Sequence, residues 1–306
     1  MRGNVPFLET YVSDAADYPP APKGVTLYAV GDIHGRLDLL KDVHRLIDQD
    51  KALRKPKQPV EVYLGDYIDR GPESAGVVSH LIARGLDAHT IFLRGNHEQF
   101  LLDFLQGAEC GEQWKDVGAI PSLLSYGVAP ALLSRDTPPE AIRRALAQRL
   151  PEEHARFYGA TEPYLEAGPY LLVHAGIRPG VKLQHQAIGD LLCIRGEFLD
   201  YEGDFGRIVV HGHTPVPKAD LRPNRINIDT GAFATNVLTC IRIDETGPRV
   251  LTSSEVLPDL DPIARSRSSR EGRLSSRDSN LEKHSRYQIV TSRIRSGTHL
   301  AARPMA

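Results

Sequence analysis

Cysteine is scarce in this 306-residue sequence: there are three, Cys110, Cys193 and Cys240, widely spaced and in no Cys-x-x-Cys pattern. That excludes a disulfide framework and a thiolate zinc site, and it suits a reducing compartment. No apolar run approaches the roughly 18 residues of a membrane span. Residues 1–9 hold no apolar core of signal-peptide length. A cytoplasmic protein without a membrane partner is therefore expected. The net charge is only −2, which argues neither for nor against nucleic acid, and no specific nucleic-acid partner is expected. No internal repeat is visible. What remains, 41% hydrophobic and 25% charged residues, is ordinary for a soluble globular chain.

Residues 1–23 are polar and end in Pro19, Pro20 and Pro22; they read as an N-terminal arm. The run 25–30 reads as a buried strand, stopping at Gly31-Asp-Ile-His-Gly35. A helix follows, with Leu39, Leu40, Val43, Leu46 and Ile47 on one face. A second strand covers 60–64, and Pro72 is expected to open a second helix carrying Val77, Val78, Leu81 and Ile82. A third strand, 90–93, ends in Arg94-Gly-Asn-His-Glu98. Three strand–loop–helix units imply an α/β fold whose site lies at the carboxyl ends of parallel strands.

From about 100 to 168 the pattern is helical, with no strand of similar quality, and is expected to be an insertion over one edge of the site. Residues 137–140 (Thr-Pro-Pro-Glu) suggest a capping box with proline in the first turn. Strand signals resume at 170–173, 207–210, 226–228, 237–243 and 249–256. The last three are short and closely spaced, so an antiparallel second sheet is expected from them. Residues 257–306 hold ten Lys or Arg against five Asp or Glu and are rich in serine, which predicts a disordered basic tail.

The strand exits carry the chemistry. The apolar run before residue 66 ends in Asp66, Asp69 and Arg70, and buried charges there cost free energy unless a metal or counter-charge meets them. Asp32 and His34 leave the first strand, Asp66 the second, and Asn96 and His97 the third; His174 and His213 leave later strands. Two carboxylates, an amide oxygen and three imidazoles suit two divalent ions such as Mn²⁺, Fe or Zn²⁺.

The motifs Gly31-Asp-Ile-His-Gly35, Gly65-Asp-Tyr-Ile-Asp-Arg-Gly71, Gly95-Asn-His-Glu98, His174-Ala-Gly176 and Gly212-His-Thr214 together resemble the ordered signature of the metallophosphoesterases. The fuller likeness is to the phosphoprotein phosphatases, in the bacterial and phage branch exemplified by bacteriophage lambda phosphatase, over residues 24–256. That resemblance implies an α/β metallophosphatase sandwich: two mixed sheets flanked by helices. It implies that Asp32 and His34 hold one metal, that Asp66 bridges, and that Asn96, His174 and His213 hold the second, with Mn²⁺ foremost. It implies His97 as the acid for the leaving oxygen, oriented by Asp69, and Arg70 as the phosphate grip. Arg195 is the candidate for a second phosphate-binding arginine, although Cys193 stands where the family commonly has tryptophan.

The resemblance also favours His213 over His211, which is expected to be a packed neighbour. Arg94 and Glu98 are expected to brace the third loop by an ion pair or hydrogen bonds, and Asp229 to support the ligands from behind. Trp114 is expected in the insertion core. His44, His80, His89, His154, His185, His284 and His299 show no partner pattern and are expected to be solvated. The implied activity is metal-dependent hydrolysis of phosphomonoesters, with phosphoserine or phosphothreonine proteins or a small phosphoester as substrate. The alternatives are symmetrical cleavage of dinucleoside polyphosphates or another phosphoanhydride, and an inactive phosphate-binding scaffold.

Overall fold

In the computed structural model, which describes residues 18–134 and 136–253, the first apolar run forms strand β1 (Val25–Val30). Its alternate residues serve two cores. Leu27 and Ala29 pack between two sheets with Val62, Leu172, Val210 and Ile226. Tyr28 and Val30 pack under helices with Leu40, Val43, Ile47 and Val78. Burial on both faces is why this strand reads as a continuous apolar run. Helix α1 (Leu37–Arg54), β2 (Gln58–Tyr63), α2 (Ser74–Asp87) and β3 (Thr90–Phe92) follow. The three strands pair in parallel. α2 starts at Ser74, two residues after the expected opening at Pro72.

Helices α3 (Asn96–Leu105), α4 (Gly111–Asp116), α5 (Ile120–Ser125), α6 (Pro139–Ala147) and α7 (Glu152–Gly159) form the helical block. The expected capping box of α6 is absent. No side chain caps the helix, and the Thr137 hydroxyl pairs with that of Ser134 instead. Two prolines hold the chain extended there, so Thr137 lies too far back to reach the first turn. The block returns beside β3, where Leu93 pairs with Glu162, and passes into β4 (Tyr164–Ala167). That strand was not anticipated, because four residues carry too little alternation to stand out.

The rest is β5 (Tyr170–Val173), α8 (Ile188–Cys193), α9 (Gly196–Leu199), β6 (Ile208–His211), β7 (Asp220–Arg222), β8 (Arg225–Asn227), α10 (Ala232–Thr235), β9 (Thr239–Asp244) and β10 (Gly247–Thr252). The chain thus has two five-stranded mixed sheets, ordered β10-β9-β1-β2-β3 and β4-β5-β6-β8-β7. They pack face to face with helices outside, as expected. The second sheet's outer face is covered by Leu191, Ile194 and Phe198.

One expectation is corrected. The last three strands do not form an antiparallel second sheet of their own. β8 joins β6 in parallel, whereas β9 and β10 run antiparallel beside β1 in the first sheet. Alternation marks a strand but not its partner; the open edge of β1 takes β9, which places Ile241 and Ile243 between the sheets.

Residues 18–22 lie against this body, with Ala21 buried and the Tyr170 hydroxyl donating to Pro19 O. The basic tail 257–306, with His284 and His299, lies outside the described residues. Among the described residues, no helix is long and apolar enough to cross a membrane.

Candidate active site

The carboxyl ends of β1, β2, β3, β5 and β6 meet at one rim. The loops are tied by backbone bonds, His34 N–H to Asp66 O at 2.8 Å and Gly212 N–H to His174 O at 2.8 Å. Five site residues, His34, Asp66, Asp69, Arg70 and His213, hold φ between 46° and 72°. Lys55 and Asn236 are the other non-glycine residues so placed among those described. Left-handed backbone costs such residues on the order of 1 kcal/mol each, so the rim is not shaped for stability alone. Gly95 belongs to the same design: a Cβ there would strike the Asp66 carboxylate.

Asp66 is the centre. Its Oδ2 lies 3.5 Å from His34 Nε2 and 3.7 Å from His97 Nε2, and its Oδ1 lies 3.4 Å from His174 Nε2. Two compact donor groups share it: His34 with His97, and His174 with His213. Asn96 Oδ1 joins the second group, 3.0 Å from His174 Nε2 and 2.9 Å from His213 Nδ1. The tautomers follow from the outer bonds. His34 Nδ1 faces Ile68 O at 2.9 Å and His174 Nδ1 faces Leu64 O at 3.0 Å, so each Nδ1 carries the proton and donates it. Burial keeps both rings neutral, taking His34 down to about 3 and lowering His174 as well. Their Nε2 lone pairs therefore point at a carboxylate.

Asp32 stands just outside these two groups. One oxygen accepts the His213 N–H at 3.0 Å, and the other is buried without a hydrogen-bond partner. Burial and the nearby carboxylates of Asp229 and Asp66 raise its pKa well above the usual range. Burial likewise lifts Asp229 to about 6, even though its oxygen accepts the Gly231 N–H. On Asp66, burial is outweighed by the imidazoles of His174, His97, His34 and His213, and its pKa falls. An unpartnered carboxylate oxygen, clustered carboxylates and lone pairs aimed at them are what divalent cations would relieve. The residues present fit two such ions.

Beside this centre lies a bonded pair, His97 and Asp69. His97 Nδ1 donates to Asp69 Oδ2 at 2.6 Å. Burial disfavours charge on His97, but Asp66 and Asp69 outweigh it and raise its pKa. Asp69 is held by the helical block: Trp114 Nε1–H donates to Oδ2 at 2.7 Å and the Ser122 hydroxyl to Oδ1 at 2.6 Å. Ser74 and Ser122 also accept the Asp69 N–H. Trp114 is in the insertion core as expected, packed on Phe104; its bond to Asp69, and the role of Ser122, were not foreseen. The one available signal was that a buried indole N–H needs an acceptor.

Arg70 lies 3.3 Å from His97 Nε2, with its guanidinium 4.7 Å over the Phe233 ring. Arg195 is exposed and reaches the rim, its Nε 3.3 Å from His213 Nε2. Half-buried Cys193 has its thiol pushed up to about 11 by burial. Glu98 braces the loops by accepting the N–H groups of Gly95, Asp66 and Tyr67, each at 2.9 Å. Arg94 bonds Thr161 and Gln99. His211 is buried edge-on against Phe198 with Nε2 unpartnered. Three histidines expected to be solvated are not, among them half-buried His80, which stacks on His44 and is hydrogen-bonded to it. His44 is buried between His80 and Tyr63, and His154 between Ser79 and Tyr126. Isolated histidines in a helical pattern do not announce such partners.

The model of the calcineurin-like phosphoesterase family matches residues 25–230. The asymmetrical bis(5'-nucleosyl)-tetraphosphatase PrpE of Anoxybacillus flavithermus is 25% identical over 238 residues, covering 71% of this chain and 89% of its own. Serine/threonine-protein phosphatase 1 of Salmonella typhimurium is 40% identical over 81 residues, 25% of this chain and 32% of its own. A solved protein serine/threonine phosphatase from Saccharomyces cerevisiae shares 16% identity at a TM-score of 0.44, covering 79% of this chain and 84% of that one.

Proposed function

The chain belongs to the calcineurin-like phosphoesterase family and is a metal-dependent phosphoester hydrolase; from that premise we propose that it hydrolyses phosphate monoesters, with phosphoserine or phosphothreonine in proteins favoured. Membership of the bacterial and phage branch of phosphoprotein phosphatases is part of this reading. We assign Asp32, His34 and Asp66 to one ion, and Asp66, Asn96, His174 and His213 to the other, with Mn²⁺ expected. The ions, when bound, supply a Lewis-acid clamp and an acidified water as nucleophile. Arg70 and Arg195 grip the phosphate oxygens through their planar forks. His97 gives its Nε2 proton to the leaving oxygen, while Asp69 holds the other nitrogen and keeps the ring aimed.

The observation that carries the reading is the treatment of Asp69. Both its oxygens accept bonds, from His97, Trp114 and Ser122, and all serve to fix one imidazole. An acid held that firmly matters most when the leaving group is a strongly basic alkoxide, as in a phosphoserine. Replacing His97 by Asn is therefore expected to slow a phosphoserine peptide far more than p-nitrophenyl phosphate, whose leaving group needs little protonation. Equal losses on the two would remove His97 as the acid.

A second reading is cleavage of a phosphoanhydride in a dinucleoside polyphosphate. It draws support from the tetraphosphatase relative, which aligns over 89% of its length where the protein phosphatase aligns over 32%. That relative's name specifies asymmetrical cleavage, whereas the alternative drawn from the sequence was symmetrical cleavage. With Mn²⁺ present, kcat/KM on a phosphopeptide and on diadenosine tetraphosphate decides between them. A tenfold or greater advantage for the tetraphosphate overturns the monoester reading.

A further inference from the structure

Phe233 is the one aromatic residue among the large hydrophobic side chains left exposed in the described chain, at 38%. It is not on a loose loop. Gly231 turns into α10 with φ of 67° and donates to Asp229 Oδ1 at 2.8 Å. Arg36 Nη1 then clasps the short helix at both ends, donating to Ala232 O at 2.9 Å and to Asn236 Oδ1 at 2.6 Å. Thr235 Oγ1 donates back to Thr230 O at 2.8 Å. A surface phenylalanine free to move would fold its ring onto apolar neighbours. This ring is held out over a polar rim.

Its neighbours fix what it faces. The guanidinium of Arg70, the proposed phosphate grip, lies 4.7 Å from its centroid. The His34 imidazole meets it edge-on at 5.5 Å, and His34 stands 4.7 Å, again edge-on, from His97. Phe233 therefore sits on the side of the site where Arg70 and the proton donor are gathered. That is the side from which the leaving group departs.

We infer that Phe233 is a specificity-determining residue, whose open ring surface contacts the leaving group and favours planar, π-bearing leaving groups over saturated ones. The inference rests on the phosphoester-hydrolase reading of this site alone; it pulls against the phosphoserine preference proposed above, because a seryl leaving group is saturated. Arg70 covers part of the ring and is itself held by it, but guanidinium edges stay free for phosphate oxygens. The uncovered part offers the area and quadrupole that a flat ring joined through the ester oxygen can stack against. A saturated chain gains the area alone. The extra attraction of an aromatic pair corresponds to about a two- to tenfold preference.

The test compares phenyl phosphate with an alkyl phosphate whose fluorinated alcohol has matched acidity, using the full chain with Mn²⁺. Phe233→Leu keeps apolar bulk and removes the π face; Phe233→Tyr keeps both. The ratio of kcat/KM for the planar over the saturated substrate is expected to fall about two- to tenfold in Phe233→Leu and to persist in Phe233→Tyr. If Phe233→Leu does not fold, Phe233→Met serves in its place. An unchanged ratio in the leucine or methionine variant overturns the inference, and so does a parallel loss on both substrates, since that marks a mere prop for Arg70. Failure of the wild-type chain to hydrolyse either ester strikes the hydrolase reading instead.

Discussion

Two regions of the molecule bury carboxylates, and they treat them in opposite ways. In the seam between the first sheet and helices α1 and α2, each buried acid meets cations the chain supplies. Asp50 accepts from Arg54, Arg242 and the Tyr28 hydroxyl at 2.9, 2.7 and 2.6 Å. Glu61 accepts from Lys51, Arg84 and the Tyr63 hydroxyl. At the rim, Asp32, Asp66, Asp69 and Asp229 are buried with no Lys or Arg ion pair among the described residues; their partners are imidazoles, hydroxyls, the Trp114 indole N–H and backbone N–H groups. The charge environment follows. Burial pushes Glu61 up, but Arg84, Lys51 and Tyr63 bring it down to about 2, whereas burial leaves Asp32 and Asp229 raised. A seam that must only stand carries its own counter-charge. A rim that must act leaves that place to cations from outside the chain.

The sharpest way to break the comparison is Asp66→Asn. At the rim this removes the proposed shared ligand, and kcat/KM is expected to fall by about 10³-fold or more, since bound metal contributes several kcal/mol to such reactions. Mn²⁺ should raise the wild-type Tm, because it binds only the folded chain, and should leave the variant's Tm unmoved. A variant that still takes up two Mn²⁺ by elemental analysis would end the role of Asp66 as the shared ligand.

The seam should respond in the other sense. Because the folded-state pKa of Glu61 is depressed from an ordinary value to about 2, its stabilisation is fully present above pH of about 4.5. It is lost as the pH falls from there through about 2. Glu61→Gln strands Lys51 and Arg84 beside a neutral group, and urea denaturation at neutral pH should show a loss on the order of 3 kcal/mol. The part of the acid-induced loss between those two pH values that belongs to Glu61 should vanish in the variant. Unchanged stability at neutral pH would mean that this network is no firmer than a solvent-exposed pair.

The two regions also differed in how much of them could be read beforehand. Asp32, His34, Asp66, Asn96, His174 and His213 were legible because each follows a strand, and parallel strands deliver their exits to one rim whatever the loops between. The left-handed backbone at His34, Asp66, Asp69, Arg70 and His213 was not legible, since none of these residue types demands it. The seam was nearly silent: Asp50, Lys51 and Arg84 sit on helices where a charged residue looks solvated until the neighbouring sheet is placed over it. His44 and His154 were misread for the same reason. β4 and β7 escaped because three or four residues carry too little alternation, and the sheet membership of β9 and β10 because alternation marks a strand without naming its partner.

Trp114→Phe probes the border between the two kinds of burial and should have the smallest effect. Trp114 belongs to the core by packing, beside Phe104, and to the site by its Nε1–H bond to Asp69 at 2.7 Å. Phenylalanine keeps most of the apolar volume and removes one bond to a charged acceptor, worth about 1.5–3 kcal/mol. Ser122 still holds the other oxygen of Asp69, so the dyad should loosen without collapsing. The expected loss is about tenfold in kcat on a phosphoserine peptide and clearly less on p-nitrophenyl phosphate, because only the former depends on a well-aimed proton. A loss of the same size on both substrates would assign Trp114 to the core alone. The helical block would then shelter the acid without aiming it.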